Sequence, residues 1–168
     1  IPPILTPFNE GGEIDFKRLE KFANFLHPYV QGFYVNGTYG SGVLMNIVER
    51  KNVFEALSSY SDGSFELVAH VGSTNLRDSI ELAQHAESHG ALAVAAVPPF
   101  YYHYTDESLF AFFKDLIKSV SIPVYLYDNP GATGNPVSID LINRLAEVGL
   151  AGVKDSTFDI SKTYMVMR

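Results

Sequence analysis

No cysteine occurs in the 168 residues, which excludes disulfides, a thiolate nucleophile and Cys-ligated zinc, and fits a reducing compartment such as the cytoplasm. Positive charge is also scarce. Twelve Lys and Arg stand against 19 Asp and Glu, for a net charge of -7. Nothing in that balance draws the chain to a phosphate backbone, so no nucleic-acid partner is expected. Long apolar runs are missing too: the longest, Ala91 to Phe100, is too short to cross a bilayer and holds two prolines, so no membrane partner is expected. Two glycine signatures are absent as well. No G-x-G-x-x-G follows the first strand, and no Gly-Lys-Ser/Thr marks a P-loop.

What is present is a globular composition, 46% hydrophobic and 18% charged, in a chain long enough for one domain, 1–168, with a real core. A short Pro-punctuated run, Ile1 to Phe8, reads as the first strand. Asp15 caps a helix to about His27, and Gly32 to Asn36 is a second, buried strand. Asn46-Ile-Val-Glu49 has capping-box spacing and opens a helix to about Tyr60. Phe65 to Val71 is the third strand, followed by a helix from about Asp78 to His89. Ala91 to Val97 is the fourth strand, with a helix from Thr105 to about Val120 behind it. Pro123 to Tyr127 is the fifth strand, Asp128 to Gly131 a loop, Ser138 to Val148 a helix and Gly149 to Lys154 the sixth strand. A last helix begins after it. Near-continuous apolar strands alternating with amphipathic helices mean a parallel sheet covered by helices. Without a dinucleotide fingerprint the α/β class narrows to a (β/α)8 TIM barrel, of which the chain carries about six strand-helix units.

In such a barrel the reactive groups lie past the carboxyl ends of the strands. Leu150-Ala-Gly-Val-Lys154 is an apolar run that ends on a lone amine. Lys154 either snorkels to water or, desolvated, becomes a nucleophile. Tyr127 ends the fifth strand, as a proton relay or as a buried tyrosine with a satisfied hydroxyl. The loop Gly37-Thr38-Tyr39-Gly40-Ser41-Gly42 offers amides to an anion and a hydroxyl on Thr38, or is merely a tight turn. Phe100, Tyr101 and Tyr102 form a pocket wall or an interface patch. An amine for a Schiff base, amides for a carboxylate and a phenol for a proton make a coherent set. His85 and His89 stand i, i+4 on one helix, but no acidic residue accompanies them in an H-E-x-x-H arrangement and that helix faces outward. His70 reads as an interior histidine. Asp155 and Asp159 lack a third ligand, so no metal is expected.

These motifs, taken in order, resemble one family. Leu5-Thr-Pro-Phe8, Tyr34-Val-Asn-Gly-Thr38-x-Gly40 and Ala69-His-Val-Gly72 come first. Pro99-Phe-Tyr-Tyr102, Tyr127-x-x-Pro130-x-x-x-Gly134 and Gly152-Val-Lys154-Asp-Ser156 follow. Together they look like the pyruvate-dependent Schiff-base aldolases, which include N-acetylneuraminate lyase, dihydrodipicolinate synthase and the 2-keto-3-deoxy sugar acid aldolases. The resemblance implies cleavage of a 2-keto acid to pyruvate and an aldehyde, without a cofactor, by a homo-oligomer built as a dimer of dimers. It implies an imine on Lys154, a proton relay through Tyr127 and Thr38, and a carboxylate site on the amides of Gly37, Thr38 and Tyr39. Tyr101 matches a tyrosine lent to the neighbouring subunit, and Ser156 a substrate-binding hydroxyl.

Three departures bear on substrate. Tyr39 is a bulky replacement for a hydroxyl beside the carboxylate site, and Ser41 replaces an acidic residue. Ala132 stands where dihydrodipicolinate synthases carry an arginine, which argues against that activity. Phe100-Tyr-Tyr-x-Tyr104-x-x-Glu107 looks most like sialic acid lyases, whereas Tyr127 to Gly134 looks closer to 2-keto-3-deoxygluconate aldolases. The lyase is the leading expectation. The family continues for two further strand-helix units, so a fragment truncated after the sixth strand is also expected, with a non-catalytic scaffold as the alternative.

Overall fold

Five short strands lie side by side in sequence order, all parallel: β1 (Gly32–Val35), β2 (Glu66–His70), β3 (Ala93–Ala96), β4 (Val124–Asp128) and β5 (Gly152–Asp155). The structure, a computed structural model, describes residues 1–167. Parallel neighbours need a crossover, and helices supply each one. α2 (Ile47–Ser61), α3 (Leu76–Ser88) and α4 (Asp106–Lys118) make the first three, and α5 (Pro130–Thr133) with α6 (Ile139–Glu147) makes the fourth. α1 (Phe16–Leu26) precedes the sheet and α7 (Ile160–Val166) follows it. Local chemistry sets the starts. Asp15, Asn46, Asn75, Thr105, Ser138 and Asp159 each accept a first-turn N–H, and Asn46 forms a full capping box with Glu49.

Side chains alternate across each strand, and the two faces have different fates. Phe33, Val35, Leu67, Ala69, Val94, Ala96, Val124 and Leu126 face the helices and share one core with Leu19, Phe54, Leu57, Phe113 and Leu145. The opposite face carries a smaller cluster of Tyr34, Ala95, Val97 and Tyr127. Helices on one face and a smaller apolar cluster on the other are the arrangement of a (β/α)8 barrel, of which this chain carries an arc. Large and small residues interleave on the inner face. A Cβ on Gly152 would come within 2.9 Å of the Tyr125 ring, so glycine is needed there. The inner face bounds a cavity of ≈ 350 Å³ lined by Tyr34, Val68, Ala95, Tyr125 and Lys154, among others.

Three expectations are corrected. Ile1 to Phe8 forms no full strand: it makes one parallel bridge, Pro3 to Tyr34, with Ile4 N donating to Tyr34 O at 3.1 Å and Tyr34 N to Pro2 O at 2.8 Å. Pro2 has no N–H to extend the ladder back toward Gly32, and at the other end Asn36 leaves the extended conformation at φ 59. Asp128 belongs to β4 rather than to a loop, and the residues after it form the single turn of α5. The sixth expected strand is β5, which is half-buried to exposed along its length, because it is the edge of the sheet. Lys154 is therefore not at the end of a fully buried run.

Candidate active site

Register places the two central residues. Tyr127 and Lys154 are direct partners across β4 and β5, so both side chains leave the same inner face at the carboxyl end of the sheet. Lys154 Nζ stands 3.3 Å from the centroid of the Tyr127 ring and 5.7 Å from that of Tyr34. An ammonium over a phenol face is held by the ring quadrupole. Lys154 Nζ also donates to Ser156 Oγ at 3.4 Å.

The Tyr127 hydroxyl is wired at its far end. It lies 3.3 Å from Thr38 Oγ1 and accepts from Asn129 Nδ2 at 3.2 Å. Burial pushes this phenol up, while polar contacts with Thr38, Lys154 and Ser156 and the charge of Lys154 pull it down. The balance falls below the usual tyrosine value of 10.0. A phenol with one hydroxyl, one amide and one amine around it is suited to hold and pass a proton.

Thr38 reaches Tyr127 because the chain turns sharply after β1. Asn36 takes the left-handed conformation at φ 59, which asparagine tolerates, and a Cβ on Gly42 would sit 1.7 Å from Asn36 O. Ser41 N and Gly42 N close the turn on Thr38 O and Gly37 O, each at 3.2 Å. No acceptor among the described residues takes the amides of Thr38 and Tyr39. Two free N–H groups beside the Thr38 hydroxyl are a small anion cradle. Tyr39 is 71% exposed.

Behind these groups lies a buried floor. The rings of Tyr34, His70 and Tyr127 stand 6.1 Å apart pairwise at steep angles. Arg50 of α2 is buried and donates to Gly72 O at 3.0 Å and His70 O at 2.7 Å. Burial, then the Arg50 charge, pushes His70 down to about 3, so the ring is neutral, with Nδ1 donating to Asn36 O at 3.1 Å. His70 is thus interior, as its strand position suggests, but its Nε2 has no partner among the described residues.

The structure brings together Lys154, Tyr127, Thr38 and Ser156 and adds Asn129, Tyr34, His70 and Arg50. Asn129 is legible in hindsight as the residue before Pro130 that caps α5. Tyr101 stands outside the cluster: it is 85% exposed, takes φ 85 and packs edge-on against Tyr102 at 4.9 Å. Asp155 and Asp159 are committed elsewhere, to Thr157 N and Thr163 Oγ1 and to the first turn of α7. The H-E-x-x-H arrangement is missing around His85 and His89, but an acidic companion arrives from another helix. The packing of α2 on α3 brings Glu55 to the pair, the one group of three ligating side chains with converging donors among the described residues.

The profile of the dihydrodipicolinate synthetase family matches residues 1–168. The chain belongs to that family. Among curated relatives it is 31% identical to N-acetylneuraminate lyase 2 of Escherichia coli O6:H1, over 100% of this chain and 56% of the relative. It is 35% identical to the 4-hydroxy-tetrahydrodipicolinate synthase of Dechloromonas aromatica, over 96% of this chain and 56% of the relative. Among solved structures, a prophage protein of the dihydrodipicolinic acid synthase family from E. coli K12, in complex with pyruvate, superposes with a TM-score of 0.94. That match has 27% identity and covers 99% of this chain and 57% of the other. The chain thus spans about half the length of the curated family members it matches.

Proposed function

We propose that this protein forms an imine between Lys154 and the keto carbon of a 2-keto acid and breaks the bond that joins pyruvate to an aldehyde. The observation that carries the proposal is the line from Lys154 Nζ over the Tyr127 ring to the Tyr127 hydroxyl and Thr38. The Lys154 amine adds to C2, the C2 oxygen leaves as water, and a protonated imine remains. The Tyr127 phenolate takes the proton of the C4 hydroxyl, the C3–C4 bond breaks into the imine, and the aldehyde departs from an enamine. Tyr127 returns that proton to C3, and water releases pyruvate and the free amine. The amides of Thr38 and Tyr39 hold the carboxylate through these steps.

For the substrate we favour a sugar acid of the N-acetylneuraminate kind, with a 2-keto-3-deoxy sugar acid as the second reading. α5, beside the mouth, presents the exposed methyl of Ala132, which offers no charge to a second carboxylate. Ser156, a neighbour of Lys154, is assigned to a substrate hydroxyl. The reading includes a cytoplasmic homo-oligomer, a tetramer made of dimers, in which the outward Tyr101 reaches the relay of the adjoining subunit. Its exposure and its left-handed backbone support that role, since strained residues persist at functional positions. No helix among the described residues is long and apolar enough to cross a membrane.

The test is borohydride reduction in the presence of pyruvate, followed by peptide mass spectrometry. A reduced adduct on the Lys154 peptide is expected. An adduct on Lys162 instead, or none in the folded protein, overturns the proposal. Cleavage rates on N-acetylneuraminate and 2-keto-3-deoxygluconate then decide between the two substrate readings.

A further inference from the structure

On the outer helical layer, away from the barrel mouth, α2 and α3 bring three ligating side chains to one point. Glu55 lies in α2, His85 in the last turn of α3, and His89 caps that helix. His85 Nε2 is 2.7 Å and His89 Nε2 3.7 Å from the same oxygen, Glu55 Oε1, and the three donor atoms lie within 4.8 Å of one another. We propose that this is a binding site for one divalent transition cation of the zinc type, held by the Glu55 carboxylate and the Nε2 atoms of His85 and His89, with solvent completing the shell.

Four features favour a metal over a simple ion pair. His89 Nδ1 lies 2.8 Å from the carbonyl oxygen of His85, a bond that needs the proton on Nδ1 and leaves the Nε2 lone pair free toward Glu55. The two rings stack at 4.2 Å and 28°, so both Nε2 edges face the same spot. The site is also pre-formed: Ser58 Oγ of α2 donates to His89 O at 2.8 Å, and Lys51 pairs with Glu81 at 2.6 Å across the same two helices. Lys51, the nearest competing cation on α2, is thereby occupied. The carboxyl end of α3 adds a favourable field for positive charge.

The donor set selects the ion. Two imidazoles and one carboxylate suit Zn²⁺, Co²⁺, Ni²⁺ or Cu²⁺ rather than Mg²⁺ or Ca²⁺. A tetrahedral ion with bonds of about 2.0–2.1 Å separates its donors by about 3.3 Å, which asks small side-chain shifts of this triangle. The site lies where α3 leads into β3, the end opposite the loops of Thr38 and Tyr127. Its effect is on the clamp between α2 and α3, not on the imine chemistry.

The experiment strips the purified protein with a chelator and titrates it with Co²⁺ and then Zn²⁺, following visible absorption, calorimetry and Tm. One saturable equivalent per chain is expected, with Co²⁺ bands that Zn²⁺ displaces and a rise in Tm of about 5 °C at saturation. His89→Gln and Glu55→Gln each weaken binding at least about tenfold. Both keep the metal-free Tm and the pyruvate adduct on Lys154. Absence of a saturable equivalent, or variants that bind as tightly as the parent, overturns the site and assigns any uptake to the other histidines.

Discussion

Two polar clusters meet at the carboxyl ends of the strands, and they differ in what their members bond to. In the Arg50–His70–Asn36 cluster, the contacts that fix it go to main-chain carbonyls: Arg50 to Gly72 O and His70 O, His70 to Asn36 O, and Asn36 Nδ2 to Arg50 O. In the Lys154–Tyr127 cluster they run from side chain to side chain, through Thr38, Asn129 and Ser156. The first cluster is buried; the second opens on the mouth, with Lys154 half-buried and Thr38 exposed. Polar groups anchored to the backbone lock a conformation. Polar groups that hold only each other, beside open space, can rearrange around a substrate. The comparison therefore supports a structural role for Arg50 and the proposed chemistry of Lys154.

The largest effect that sharpens this division is Lys154→Ala. Loss of the proposed nucleophile lowers turnover at least about 10⁴-fold and abolishes the pyruvate adduct, while Tm changes little because the half-buried side chain donates only to Ser156 Oγ among the described residues. Turnover within tenfold of the parent would end the assignment of chemistry to this cluster. Arg50→Met should do the reverse. It leaves two buried carbonyls without a donor and costs about 3–5 kcal/mol in urea unfolding. Burial lowers Arg50 only to about 10, so it remains charged at pH 7. A loss under about 1 kcal/mol would show that the buried network is not what holds β2 to α2.

Tyr127→Phe separates ring from hydroxyl within the second cluster. The phenyl still lies under Lys154, so the adduct forms, but kcat falls about 10²–10³-fold because the relay proton has no carrier. The pH profile gives an independent reading. A phenolate base makes the rate rise with pH and level off below the ordinary tyrosine value, since the Tyr127 phenol is lowered from 10.0. The Phe variant should lack that limb, and a limb that persists in it belongs to another group.

Much of this division was legible in the sequence, and what was not has a common cause. Helix starts depend on neighbours a few residues apart, so Asp15, Asn46 with Glu49, Thr105 and Ser138 announce themselves. Lys154, Tyr127 and Thr38 were nameable because a barrel gathers strand ends, even across 89 positions between Thr38 and Tyr127. Pairings between separate elements were not legible. Nothing near His85 points to Glu55, 30 positions earlier, and nothing near His70 points to Arg50, 20 positions away.

The smallest effect tests whether the buried cluster is as closed as its bonds imply. His70 is held neutral, with a folded value of about 3 against about 6.5 when unfolded. Below pH 6.5 the unfolded chain takes up a proton that the folded chain refuses, so stability is complete above 6.5 and falls as pH drops toward 3. At pH 5.5 the loss is about 1 kcal/mol. Unfolding of the parent and of His70→Gln at pH 7.0 and 5.5 isolates this contribution, because every other group is common to both proteins. The variant should lose about 1 kcal/mol less than the parent between the two pH values. Equal losses would mean that water reaches His70 Nε2 from the mouth, and the two clusters would then share one solvated site.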